Sequence, residues 1–439
     1  MKFQNSLDSL SWKKISPARI FLTLLILFEG IALIRIIATH GEALGDLLFY
    51  DRLDTMMDFF HPVLGYRTVS PDNLYTDAVV MYPPLSMLLF YWIYKVLPED
   101  VVLPCGPREA RVEQSVFFIA LLLLVLLSIL IAFLLADLRK GSSVQKRICA
   151  LCAMLSYPML FQLDRGNIIL LAFFFTLLFA HWMDSENRIK RELALIALGI
   201  AFGLKGYPAL FGLVLLSQKR WKESIRCAIY GIAAFVLPAL CFRGVNLFEI
   251  LSAFGSVSEN VATEGFGYKV NFSNTIRYWM STMEIEAMSS TLLTALCLGL
   301  GVLCLIAVLV PGEMWKKLCL ISIFIAGVPG VSYVYVMIFF LIPAFFFLNE
   351  NDGQTKRGGL SYVYAVLLAA CLVPLPFSNV PYITDQHYPV TLTVKTEGLA
   401  IILLAVILII DQAIACVRIW KNHRTAKTLS VSDGPLANN

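Results

Sequence analysis

Asp51, Asp54 and Asp58 sit in the stretch Asp51-Arg52-Leu53-Asp54-Thr55-Met56-Met57-Asp58-Phe59-Phe60-His61-Pro62, at positions i, i+3 and i+7. On a helix those positions share one face, and Leu53, Met56, Met57 and Phe60 take the other. The pattern predicts a short amphipathic helix lying on a membrane with its carboxylates raised, and Pro62 is expected to end it. Such a row of aspartates can be a solvated face, a metal-binding group, or a general base that takes the proton of an attacking hydroxyl. Asp164-Arg165-Gly166-Asn167 and Lys205-Gly206-Tyr207-Pro208 each place a cation between two apolar runs. A cation near the membrane needs an anionic partner. A lipid phosphate suits, and Arg can grip it with two hydrogen bonds, although snorkelling to the head groups explains the same pattern. Tyr82-Pro83-Pro84-Leu85 has the prolines of a helix start.

The elements that must carry these residues follow from composition. The chain has 439 residues, 58% apolar and 15% charged, against about 45–50% and about 25% in soluble domains. That excludes a water-soluble protein, and the net charge of +4 is too small to imply nucleic acid. Uncharged runs recur along the whole chain, and about 20 apolar residues span the hydrocarbon as a helix. The sequence therefore predicts an all-α polytopic membrane protein. The CxxC of Cys149 and Cys152 lies in an apolar run and reads as packing rather than metal or redox chemistry.

Lys and Arg concentrate in short loops, which the positive-inside rule assigns to the cytoplasm. A first helix over residues 20–38 then exits, and residues 115–136 return. Residues 39–114 form a long first outer loop. Within it the apolar piece 82–97 reaches only about 24 Å as a helix, short of a core near 30 Å, and reads as interfacial or re-entrant. Residues 148–163 read as one span. The uncharged stretch 318–349 divides at Gly327-Val328-Pro329-Gly330. The tally is about 12 spans in a single domain, residues 1–424, with a middle outer loop at 243–286, a late one at 377–397, both termini cytoplasmic, and a disordered tail at 425–439.

The order of these motifs resembles the GT-C glycosyltransferases, and most of all the DUF2029 group, glycosyltransferase family 87. The resemblance rests on the acidic first outer loop, Tyr82-Pro83-Pro84-Leu85, Arg165-Gly166-Asn167, and Lys205-Gly206-Tyr207-Pro208 followed by Lys219-Arg220-Trp221. It implies a GT-C-like fold and an extracytoplasmic active site under the first loop; the short loops without an evident sorting signal suit a bacterial inner membrane. The implied partners are a polyprenyl-phosphate sugar donor, with mannose the sugar of relatives, a glycan or glycolipid acceptor, and membrane lipids. No cofactor, metal or nucleic acid is implied. By the same resemblance Asp58 is the base of an inverting displacement, with Asp54 and Asp51 competing for that role. Lys205 and Arg165 neutralise the phosphate, Tyr82 and Asn167 join the substrate site, and Asn271 with Ser273 match a middle-loop Asn-x-Ser. Two other readings are a lipid-linked-sugar flippase, which inverted repeats and mid-membrane charges would favour, and an O-antigen polymerase or ligase, which uses pyrophosphate-linked oligosaccharides.

Overall fold

A computed structural model describes residues 15–48, 54–66, 75, 82–97, 114–242, 246, 248–251, 267–330, 332–353, 359–377 and 391–432. These are helical apart from turns and one isolated β-bridge, Lys269 with Tyr333. In chain order the helices are α1 (Pro17–Ala38), α2 (Met57–Gly65), α3 (Pro84–Val96), α4 (Gln114–Leu138), α5 (Ser143–Leu155), α6 (Tyr157–Arg165), α7 (Ile169–Trp182) and α8 (Arg188–Leu204). A 3₁₀ turn (Tyr207–Gly212) leads to α9 (Leu213–Ser217), α10 (Trp221–Ala239), α11 (Phe272–Thr282), α12 (Ser290–Leu309) and α13 (Met314–Gly327). A second 3₁₀ segment (Val334–Phe340) leads to α14 (Leu341–Asn351), α15 (Leu360–Ala370) and α16 (Leu392–Ser432).

Five of the described helical segments are long and apolar enough to cross a membrane: Pro17–Ala38, Val116–Leu138, Ser290–Leu309, Val334–Asn351 and Leu392–Trp420. All but the largely buried Val334–Asn351 turn apolar side chains outward. On α4 these are Phe118, Leu122, Leu126, Leu130 and Phe133, all exposed. An apolar face of that size is stable only against lipid or protein. The chain is a polytopic all-α membrane protein.

Local sequence sets the helix ends. Ser16 caps α1, its hydroxyl accepting from the Arg19 amide at 3.3 Å. Ser142 and Gln145 form a reciprocal capping box on α5, and the Asn187 side chain takes the first amides of α8, so orphan donors are satisfied at each start. Residues 148–163 are not one continuous helix. The helix breaks at Ser156, because Pro158 has no N–H and its ring would clash with a carbonyl one turn back. The freed Tyr157 amide donates instead to Leu372 O at 2.8 Å. The divide at Gly327 is as expected, α13 ending there. Helix α16 continues to Ser432, past residue 425 where the tail is expected, since no helix breaker precedes Gly434 and Pro435. Cys149 and Cys152 are buried free thiols of α5, as the packing reading requires.

Helices α7 and α8 form an antiparallel pair that fixes two ends of the molecule. Helix α7 starts beside Asn167 and ends near Asp184, about 21 Å away by helix rise; α8 returns from Arg188 to Lys205. Asp184 pairs with Arg220 at 2.8 Å. Arg191 pairs with Glu223 at 3.3 Å, and Arg226 with Glu192. The basic clusters thus lie at one end of this pair, and Asn167 and Lys205 at the other. Helix α8 packs very closely on α10: a Cβ at Gly203 would lie 2.6 Å from Ala234 O and 2.9 Å from a Leu85 methyl. Helix α3 joins them, with the Ser86 hydroxyl donating to Leu204 O at 2.7 Å. This bond ties the Tyr82 end of α3 to the Lys205 end of α8.

Candidate active site

The aspartate row does not form one helix. Asp51 lies outside the described residues. Asp54 sits in a turn, and Met56 adopts φ 60°, a left-handed conformation that stops any helix from running through it. Helix α2 begins only at Met57, so Asp54 and Asp58 are not on one helical face. Nor is α2 laid flat on lipid: Met57, Phe59, Phe60, Val63 and Leu64 are all buried, and Phe59 packs edge-on to Phe90 of α3. Pro62 lies inside α2 rather than ending it. It has no N–H for the carbonyl of Asp58, and the Tyr82 hydroxyl stands 3.5 Å from that oxygen.

The segment before α2 is docked on the turn between α6 and α7. Thr55 Oγ1 donates to Asp164 Oδ1 at 3.0 Å, and the Met56 amide donates to Asp164 O. Gly166 makes the approach possible. Its φ is 63°, and a Cβ there would lie 3.2 Å from Phe59 Cβ and 3.3 Å from Met56 Cα. Glycine is required twice over, by conformation and by contact.

With the backbone so placed, the carboxylate of Asp58 is held on both oxygens. Arg165 Nη2 donates to Oδ1 at 2.6 Å, and Asn167 Nδ2 donates to Oδ2 at 2.8 Å. Asn167 is itself oriented, because its Oδ1 accepts from the Ile169 amide at 3.0 Å, which turns the NH₂ toward Asp58. Arg165 also donates to Asp54 O at 3.1 Å and lies 3.6 Å from Asp54 Oδ2. Each carboxylate oxygen has two lone pairs, so Asp58 keeps free acceptor capacity after both bonds.

Lys205 follows α8 and lies outside it, in the turn at the helix end. Its ammonium sits 4.3 Å from the centroid of the Tyr82 ring, a cation–π distance, and it forms no ion pair among the described residues. Burial lowers its pKa to about 8, partly countered by the Asp58 charge. A desolvated cation held by an aromatic face, with no carboxylate of its own, is a ready anion receptor. Arg165 differs: its charge already faces Asp58 and Asp54.

The structure therefore brings together Asp54, Asp58, Tyr82, Arg165, Asn167 and Lys205. Asn271 and Ser273 stand at the start of α11. The Asn271 Oδ1 caps that helix, accepting from the Asn274 amide at 2.7 Å, while Nδ2 donates to Gly330 O at 2.9 Å. Ser273 is half-buried in the first turn of α11. Two residues that sequence reasoning did not select, Tyr207 and Tyr335, stand close enough to Tyr82 to interact with it electrostatically, and Tyr335 reaches Asp58 in the same way. Tyr335 had no local signal, since it lies in an uncharged apolar run.

The carboxylate clamped by Arg165 and Asn167 and the Lys205 ammonium, which has no ion pair among the described residues, thus lie at the same end of a helical membrane protein. The model of glycosyltransferase family 87 matches residues 81–324, more than half of the chain, and the protein belongs to that family. It is a membrane glycosyltransferase. No curated protein and no solved structure matched the chain in the corresponding comparisons.

Proposed function

We propose that this glycosyltransferase moves one sugar, mannose by analogy with relatives, from a polyprenyl-phosphate donor to a glycan or glycolipid acceptor on the extracytoplasmic face of the inner membrane. The observation that carries the reading is the Asp58 carboxylate, oriented by Arg165 and Asn167, beside the unpaired cation of Lys205. Asp58 takes the proton of the acceptor hydroxyl as its oxygen bonds to the anomeric carbon. The bond from that carbon to the phosphate oxygen breaks, and polyprenyl phosphate leaves with its new negative charge facing Lys205. A single displacement of this kind inverts the anomeric centre. Arg165 holds Asp58 in place and adds positive charge nearby. Both termini face the cytoplasm in this reading, because the Lys- and Arg-rich ends of α8 and α10 lie opposite the site.

The test is transfer by the purified full-length protein in lipid nanodiscs, with radiolabelled decaprenyl-phosphate mannose as donor and an alkyl mannoside as acceptor. A product of inverted configuration by NMR is the expected result. Release of sugar only from a nucleotide or pyrophosphate donor overturns the reading.

A further inference from the structure

Tyr207 opens the 3₁₀ turn that follows Lys205. Its ring stands at 90° to Phe339, with centroids 5.7 Å apart. Its hydroxyl is shielded from solvent and has no hydrogen-bond partner among the described residues. A shielded hydroxyl without a partner is unfavourable unless something outside the chain supplies one. Tyr335, in the second 3₁₀ segment, is half-buried. Its hydroxyl also forms no hydrogen bond among the described residues, and it lies within electrostatic reach of Asp58, Tyr82 and Tyr207. The ring of Tyr335 is stacked on Tyr333 at 5.9 Å and 26°. Tyr333 is fixed in turn by its bridge to Lys269, whose ammonium is 6.0 Å from the ring. Two phenols from different parts of the chain, each packed on another aromatic ring, thus meet beside Tyr82 with no hydrogen bond to their hydroxyls among the described residues.

Resting on the function proposed above, we propose that Tyr207 and Tyr335 are the sugar-recognition residues of this site, each reserving its hydroxyl for a hydroxyl of a pyranose ring. The chemistry favours a sugar over the phosphate. A phenol both donates and accepts, matching a sugar hydroxyl that does the same, whereas a phosphate needs donors and has Lys205. The flat rings also offer apolar faces to the C–H surface of a pyranose. A site built to hydrogen-bond a substrate hydroxyl discriminates strongly against an analogue that lacks it. The sugar can be the donor's or the acceptor's, and the ligands below separate the two.

The experiment uses full-length wild type, Tyr207→Phe and Tyr335→Phe in nanodiscs. Affinities are measured for decaprenyl phosphate, for decaprenyl-phosphate mannose and octyl α-mannoside, and for the monodeoxy analogues of both. Both variants are expected to unfold at the wild-type temperature or above, since the phenol removed had no partner, and to bind decaprenyl phosphate as wild type does. Each is expected to lose at least fivefold in affinity for decaprenyl-phosphate mannose if the donor sugar is read, or for octyl α-mannoside if the acceptor is. One monodeoxy analogue, of the donor or of the mannoside, should bind variant and wild type alike. A loss below fivefold for both sugar ligands removes that tyrosine from the site, and this result at both tyrosines overturns the proposal. An equal loss for decaprenyl phosphate, which carries no sugar, also overturns it. Wild type that binds neither decaprenyl ligand rejects the donor reading itself.

Discussion

Arg165 and Asp58, 107 residues apart in sequence, meet in a 2.6 Å charge-assisted hydrogen bond. The contact joins the last residue of α6 to the first turn of α2, and both side chains are largely shielded, at 11% and 19% exposure. Removing the cation leaves a shielded carboxylate without its main partner. Arg165→Ala is expected to cost roughly 3 kcal/mol of stability, read as a fall in unfolding temperature, together with loss of transfer. Arg165→Lys should recover part of the stability and less of the activity, because an ammonium cannot reproduce the two-sided reach to Asp58 and Asp54.

Asp58→Asn removes the proton acceptor with little change of shape. Transfer is expected to fall about 10²- to 10⁴-fold when measured well below the unfolding temperature, which should itself fall because Arg165 loses its main anionic partner. Asp54→Asn should lose less than about tenfold, since what Asp54 gives Arg165 is chiefly its backbone carbonyl. Steady-state sugar transfer by both variants checks the contrast, and equal losses would reverse the assignment of the base.

Gly166→Ala adds one methyl group where φ is positive and where Met56 and Phe59 already touch the turn. A cost of about 1–3 kcal/mol is expected from the left-handed conformation and the crowding together. Activity should fall by more than the stability loss alone explains, because the displaced segment carries Asp58. Transfer measured well below the unfolding temperature separates the two effects.

Lys205 gives the reaction a basic limb. Its pKa in the free protein is lowered to about 8 by burial, so the cation is present below that pH and lost as the pH rises through it. An anionic donor favours the protonated form, so donor binding takes up a proton above pH 8. Donor affinity should then weaken by up to about tenfold per pH unit above 8. In Lys205→Met the affinity should be lower throughout and independent of pH in that range.

How far the sequence reaches depends on the kind of signal. Long uncharged runs give the membrane helices, and outward side chains such as Phe118 and Phe133 of α4 show why composition sufficed. The residue types of the site were legible too, in Asp58, Arg165, Asn167 and Lys205. Their arrangement was not. Helical spacing put Asp51, Asp54 and Asp58 on one face, but a left-handed Met56, docked on Gly166, starts the helix late. That choice is made by a contact more than a hundred residues distant, which no local pattern records. Proline was misleading in a similar way: Pro158 broke an expected span, whereas Pro62 did not stop a helix that tertiary packing holds. Arg165 reads as a cation awaiting a phosphate, because no local pattern reveals that its partner is the Asp58 carboxylate 107 residues away. Tyr335 was invisible, since a tyrosine in an apolar run looks like core.

The stretch from 81 to 324 that matches the family contains Tyr82, Arg165, Asn167 and Lys205 but not Asp58, which reaches them from upstream. A polypeptide cut to those limits would retain Arg165, Asn167 and Lys205 and forfeit both carboxylates that Arg165 faces, Asp58 and Asp54. Supplying residues 15–66 as a separate piece would be the way to ask whether docking alone can reunite Asp58 with Arg165 and Asn167.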